Sequence, residues 1–592
     1  MASLVLATSA IVVGPAGSPA GAVPVMRSAP TPPSFSDVSA GHPFYGHITW
    51  LAEEGISTGY ADGSFRPGAG ISRAAMAAFL HRIAGGGGTP PSSPTFRDVG
   101  HGNPFYADVE WLAAEEIARG YADGTFRPTA PTSRQAMAAY LYRFSDSPAS
   151  TPPDEPTFAD VDDGNPFYRE VEWLAAEDIA TGSSGNRFLP ASTVSRQAMA
   201  AFVFRQQHRA PTLTVQEPVL QGLRVPWDVA FTPSGAMLFT ERPGSISIRF
   251  PDGEVVPLVT AADPGMSDFF LGYHESGLLG LALHPDFVSN RRAYTCQTEV
   301  DGDGPGNADL GPNAQVVEWT LGADLRSISR TRELVDLAPM NIYPPDNGYH
   351  GGCRVRFGQE GNLWVSAGDT GCGTNAQDRT VLGGKILRLD LDAPDLVPAD
   401  NPYVGGDPRD DLVISYGHRN PQGLAPRPGG YQMWSVEHGS YRDDEVNLVQ
   451  AQGNYGWDPV GPPGGTWCSY DESRPMTDLQ AHPDAIQARW TSGDPTIATS
   501  GATWLQGSAW GGWEGGLVVA TLKEQHVRVL FFTDSGVFVE ERRPAELDHT
   551  FGRLRTPVVG PGGDLYVTTS NSASNAAPGQ GVDQVLRLTP TP

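Results

Sequence analysis

Lysine is nearly absent from this chain. Of the 40 basic residues among 592, only Lys385 and Lys523 are lysines, so arginine supplies almost every cation. Cations of either kind are outnumbered: 67 acidic residues leave a net charge of −27 and an isoelectric point near 4.8. A surface that acidic repels phosphate backbones and anionic headgroups, which excludes general nucleic-acid binding. Long apolar runs are missing too; no segment reaches the ~18 residues that a membrane span needs. Cysteine is scarce, with four residues, none in CxxC spacing, so the common zinc sites are excluded. What the chain does have is 70 glycines, 53 prolines and 9% aromatics, the composition of a packed, turn-rich protein. Its length is enough for about four domains of ~150 residues.

The N-terminus predicts export. Ser3 to Gly14 is a short apolar run and Ala20-Gly21-Ala22 offers a small-residue cleavage site, although no basic residue precedes the run. Residues 1–22 are therefore expected to be a signal peptide and 23–33 a linker, leaving the mature protein secreted. Cys296, Cys353, Cys372 and Cys468 are then expected in disulfides, with three connectivities open. Pairing strand with strand and loop with loop gives 296–353 and 372–468.

Three repeats follow. Phe35-Ser36-Asp37-Val38 recurs as Phe96-Arg97-Asp98-Val99 and Phe158-Ala159-Asp160-Val161, and Trp50, Trp111 and Trp173 keep the same spacing. Each unit reads as a helix, a Gly-rich turn and a second helix opened by Ser and Arg, as in Ser72-Arg73. Pro/Gly/Ser linkers separate units at 34–85, 95–145 and 157–208. The arrangement resembles S-layer homology repeats, which implies a pseudo-threefold helical bundle that binds an anionic cell-wall polysaccharide. Arg73, Arg134 and Arg196 are the candidate wall-polymer-binding residues, since a guanidinium at a helix N-terminus attracts carboxylates. The alternative is that they pair with nearby acids. The third unit carries Gly182-Ser183-Ser184-Gly185-Asn186 where the others have Gly-Tyr-Ala-Asp-Gly, so its groove is expected to be weaker.

From about 213 to 592 the texture changes to short β-type runs, each after a Gly/Pro turn, as in Asn362-Leu363-Trp364-Val365-Ser366. That punctuation predicts an all-β repeat architecture, a propeller or large barrel. Polar stretches within it are unusually dense. They include His350-Gly351-Gly352, Gly368-Asp369, Gly417-His418-Arg419-Asn420-Pro421-Gln422-Gly423-Leu424 and Glu437-His438-Gly439-Ser440. Asp301-Gly302-Asp303 lacks the acidic residue that closes a calcium loop and reads as a solvated turn.

These stretches, with Pro226-Trp227-Asp228-Val229 and Gly277-Leu278-Leu279-Gly280-Leu281, resemble the glucose/sorbosone dehydrogenase family. The resemblance implies a six-bladed β-propeller that uses pyrroloquinoline quinone (PQQ) and Ca²⁺ to oxidise aldoses. It implies that His350 is the catalytic base, that Asp369 orients it, and that Arg419 stabilises charge developing on the quinone oxygen. Asn420, Thr496, Lys523, Arg553 and Arg555 fall on its cofactor-binding positions, and the carbonyls of Gly439 and Ser440 on its calcium ligands. Lys523 stands out because this chain otherwise writes its cations as Arg. Glu275 stands where the glucose-oxidising relatives have an amide, and Tyr349 where they have an acid. An extra carboxylate there is expected to weaken binding of an anionic cofactor unless it is paired.

The first reading is thus a cell-surface sugar dehydrogenase held on the wall, with an electron acceptor of unspecified kind. A calcium-dependent lactonase propeller and a non-catalytic glycan- or protein-binding propeller are the alternatives.

Overall fold

The computed structural model describes residues 29–260, 262–263, 275–299, 313–339, 349–460, 470–573 and 581–591. The expected signal peptide, the Asp301-Gly302-Asp303 turn and Cys468 lie outside the described residues.

The repeats form six helices: α1 (Tyr45–Glu53), α2 (Arg73–Ile83), α3 (Tyr106–Ala114), α4 (Arg134–Phe144), α5 (Tyr168–Ala176) and α6 (Arg196–Gln207). Ser72, Ser133 and Ser195 cap α2, α4 and α6, each hydroxyl accepting from the backbone N–H three residues on. Such caps contribute about 1 kcal/mol each. The repeated Asp also has a structural task. Asp37 accepts the N–H groups of Phe65 and Arg66, Asp98 those of Phe126 and Arg127, and Asp160 those of Phe188 and Leu189. A three-membered ring of backbone hydrogen bonds closes the bundle. Ile71 donates to Val194, Val194 to Thr132 and Thr132 to Ile71, each at 2.9 Å. That is the pseudo-threefold symmetry that the resemblance to S-layer homology repeats implies.

Six antiparallel sheets follow, spanning 226–259, 278–339, 352–416, 421–491, 499–542 and 554–591, and are called blades 1 to 6 here. The chain's first strand, Thr212–Val215, pairs with its last, Asp583–Thr591, so the two ends of the propeller close the ring inside blade 6. Closure removes the exposed edges of an open sheet. Each innermost strand breaks register with its neighbour at its N-terminal end, for example between Gly352 and Arg354 and between Pro421 and Gly423. Such bulges bend the strand and re-aim side chains.

The bundle and blade 5 share one hydrophobic core, running from Phe204 to Phe531, Val539 and Trp510. Helix α1 lies so close to the outer strand Phe538–Arg542 that a Cβ on Gly46 would sit 2.2 Å from the Phe538 carbonyl. Glu540 takes the contact's polar load, meeting His47 at 3.2 Å, Arg205 at 2.9 Å and Arg542 at 2.7 Å. A cut at residue 212 would therefore uncover an apolar face rather than sever a loose linker.

The strand-to-strand disulfide forms: Cys296 and Cys353 are joined, linking blade 2 to blade 3. Cys372 is also disulfide-bonded.

Candidate active site

In antiparallel blades, the start of the first strand and the end of the second lie at the same end of the propeller. The polar residues singled out above occupy those positions. His350 precedes the first strand of blade 3, Asp369 follows its second, Arg419 and Asn420 precede blade 4, and Gly439 and Ser440 follow the second strand of blade 4. Thr496 and Lys523 sit equivalently in blade 5, and Arg553 and Arg555 at the start of blade 6. One face of the ring therefore collects residues spread over two hundred positions of sequence.

At its centre is a buried dyad. Asp369 Oδ1 lies 2.9 Å from His350 Nδ1, and Asp369 is wholly buried. Burial opposes the charge on Asp369, but the opposing charge and hydrogen bond of His350 outweigh it and hold the carboxyl below its usual range. A carboxylate there fixes the proton on Nδ1 and leaves Nε2, which bonds no described residue, as the basic nitrogen. His350 itself has a φ of +61°, a left-handed conformation costly for a side chain of this size. Gly368 makes that possible, since a Cβ there would stand 2.0 Å from the His350 carbonyl.

Beside the dyad lies a cluster of cations. Arg555 is buried, stacks on Trp227 at 3.8 Å and donates to Gln422 Oε1 at 3.1 Å, while its Nε has no hydrogen-bond partner among the described residues. Burial, reinforced by Arg553 and Arg242, drives its pKa well down. Glu275 is the carboxylate facing these cations. It accepts from the His350 N–H (2.9 Å), Asn420 Nδ2 (3.0 Å) and Gln422 Nε2 (3.0 Å). Burial opposes its charge, yet His350, His438 and Arg555 keep it below the usual range. The departure at this position is therefore fully paired.

Residues 223–577 match the glucose/sorbosone dehydrogenase family, and 34–77, 95–138 and 157–200 match the S-layer homology domain. The chain belongs to the glucose/sorbosone dehydrogenase family. It is 29% identical over 367 residues to the aldose sugar dehydrogenase YliI of Escherichia coli, covering 62% of this chain and 92% of that one. It is 30% identical over 268 residues to the quinoprotein glucose dehydrogenase B of Acinetobacter calcoaceticus, covering 41% and 52%. The apo crystal structure of the soluble aldose sugar dehydrogenase of E. coli superposes with a TM-score of 0.53 at 28% identity, covering 64% of this chain and all of that one.

The donor set of this family member fits an anionic quinone. Arg555 is buried with Arg553 and Arg242 near it, and its Nε, without a hydrogen-bond partner among the described residues, offers a donor to an incoming carboxylate. Calcium fits less well. The Gly439 carbonyl accepts from Arg419 Nη1 at 3.0 Å, placing a cation where the ion would have to sit. The Thr496 hydroxyl is likewise occupied, bonding both oxygens of Asp444 at 2.9 Å. Lys523 is exposed on its loop. The lysine that is buried is Lys385. Its Nζ donates to the carbonyls of Asn375 (2.6 Å), Ala376 (3.2 Å) and Gly383 (2.7 Å), fastening the loop after Asp369.

Three participants were not legible beforehand. Trp457 Nε1 and the Tyr470 hydroxyl both donate to Asp369 Oδ2, at 2.7 and 2.6 Å, and Glu472 grips Arg419 with both oxygens, at 2.8 and 2.9 Å. Trp457 ends a Gly- and aromatic-rich run, Gly453-Asn454-Tyr455-Gly456-Trp457, but no pattern in the chain ties it or the other two to Asp369 or Arg419.

In the bundle, the three arginines do not pair with nearby acids; each is tied to the neighbouring unit through its Nε. Arg73, Arg134 and Arg196 donate Nε to the carbonyls of Phe126, Phe188 and Phe65 in the next unit and lie over those rings. None meets an acid within ion-pair distance among the described residues. Because each arginine reaches into the following unit, the altered turn of unit 3 is felt at Arg134. Arg73 and Arg196 also face Tyr121 and Tyr60, a ring that unit 3 does not supply.

Proposed function

We propose that this protein is a secreted, cell-surface sugar dehydrogenase that oxidises the anomeric carbon of aldoses to lactones with bound PQQ. The observation that carries the reading is the buried His350–Asp369 dyad next to the buried Arg555, whose pKa burial and the neighbouring Arg553 and Arg242 drive down. When bound, the quinone supplies a two-electron acceptor for the hydride leaving C1 of the sugar. The residues do the rest. Nε2 of His350 takes the proton of the anomeric hydroxyl, and Asp369 stabilises the resulting imidazolium. Arg555 and Arg553 would hold carboxylates of the cofactor, with Asn420 and Gln422 placed beside them by their bonds to Glu275. A lactonase would instead gather carboxylates about a metal; no group of three or more His, Cys, Asp or Glu suited to that converges among the described residues.

The S-layer homology bundle supports the second half of the proposal, non-covalent retention on an anionic wall polysaccharide. No described helix is long and apolar enough to cross a membrane.

Adding PQQ to the purified full chain and following dye reduction across a sugar panel tests the chemistry. His350→Ala should keep the bound quinone's absorption spectrum and lose turnover by roughly 10²–10⁴. Arg555→Ala should lose the spectrum itself. Unchanged sugar oxidation by His350→Ala would overturn the assignment of the base and favour a binding propeller. Retention is tested by sedimenting the full chain with purified wall polymer before and after removal of its acidic substituents; equal sedimentation refutes it.

A further inference from the structure

The hydrogen bonds around Asp369 exceed what is needed to orient a histidine. Its Oδ1 faces His350 Nδ1 at 2.9 Å and accepts the Gly371 N–H at 3.0 Å. Its Oδ2 accepts from Tyr470 at 2.6 Å and from Trp457 at 2.7 Å. The Tyr470 oxygen also lies 3.0 Å from His350 Nδ1, so the phenol touches both members of the dyad. Tyr470 and Trp457 both lie in the stretch that links two strands of blade 4, whereas the dyad belongs to blade 3. The same stretch reaches the second half of the site, because Glu472 binds Arg419.

We propose that Tyr470 is a positioning residue that sets the basicity of His350 by drawing negative charge away from Asp369. The inference rests on the reading of His350 as the base. A carboxylate that receives strong donors on both oxygens has less charge to offer an imidazolium. With the Tyr470 bond in place, His350 gives up its proton at a lower pH and stands ready to accept one from a substrate. Without it, Asp369 concentrates its charge on the ring and His350 stays protonated to higher pH. The other ionisable groups around the dyad are Glu275, His438, Arg419, Lys385 and Glu472. None of them changes in the variants below, so a shift reports the donor alone.

The test is a titration of the histidines in the cofactor-free full chain by NMR, with ¹⁵N-labelled histidine and His350→Gln to assign the resonance. Tyr470→Phe should raise the pKa of His350 by about half a unit to one unit. Replacing Tyr470 with 3-fluorotyrosine, a stronger donor of the same shape, should lower it. A residue that merely packs would leave the His350 pKa unmoved in both, and that outcome overturns the proposal, as does a shift in the opposite sense. Should Tyr470→Phe fail to fold, the fluorotyrosine protein alone decides. In loaded enzyme, the acidic limb of the kcat pH profile should move with the NMR value. If NMR shifts are seen but no sugar is oxidised, the reading of the protein as a dehydrogenase fails while the role of Tyr470 stands.

Discussion

Breaking the Cys296–Cys353 bridge should cost this propeller several degrees of thermal stability. The two residues are wholly buried, their Cα atoms are 5.3 Å apart, and 57 positions of sequence separate them. In the unfolded chain the bridge closes a loop of that length, which by chain entropy is worth ~4 kcal/mol. A propeller of about 380 residues unfolds with an entropy near 0.8 kcal/mol per kelvin, so that loss converts to a fall in Tm of about 5 °C. The position matters beyond stability, because Cys353 is three residues from His350 and fixes the strand that carries it to blade 2. The assay is calorimetry on Cys296→Ala, Cys353→Ala and the double variant. Each single change already opens the loop, so the second should add little to the first. A double variant melting within about 1 °C of the parent, or single effects that simply add, would refute the reasoning.

At the bundle contact, Glu540→Gln should cost about 2–3 kcal/mol, since hydrogen bonds to the charged carboxylate from His47, Arg205 and Arg542 are lost together; chemical denaturation of the full chain measures it. The contact should also weaken in acid. Burial pushes His208 down to about 4, so its contribution is whole above ~6.5 and fades as pH falls toward that value. Faster proteolysis of the 209–212 junction at pH 4.5 than at pH 7.5 is the expected result, and equal rates would contradict it. Burial, with Glu437 beside it, raises Glu445 to about 8, so the folded state keeps a proton that the unfolded chain releases above ~4.3. Stability should therefore decline between those two pH values, and Glu445→Gln should flatten the decline; an unchanged slope of Tm against pH would count against it. Lys385→Met, which strands three buried carbonyls, should cost 3 kcal/mol or more in the same denaturation assay, and a loss below about 1 kcal/mol would show that the ammonium is not needed.

The repeats and blades were readable because their signals are local. A Ser before an apolar-periodic stretch caps a helix wherever it falls, and a turn followed by alternating residues makes a strand. His350, Asp369, Arg553 and Arg555 were singled out by the family resemblance, and the fold places each next to a strand end on one side of the ring. The arginines of the bundle show the limit of such reasoning: their position at a helix start is legible, but only the fold shows that Arg73, Arg134 and Arg196 each donate Nε to a carbonyl of the neighbouring unit and lie over an aromatic ring there. Lys523 and Lys385 show it again, since rarity marked both and only packing decided which is buried. Tyr470 and Glu472 lie in a stretch without regular structure, 101 and 53 residues from the groups they hold, and no pattern in the chain announces contacts at that range. The sequence by itself determined the helical repeats and the all-β repeat architecture that follows them, because periodicity and turn chemistry act over a few residues; the number of blades came from the family resemblance. The tertiary structure alone decided which cations face carbonyls and which face carboxylates, how the bundle covers blade 5, and what sets the charge on Asp369, because those depend on which distant side chains share a desolvated volume.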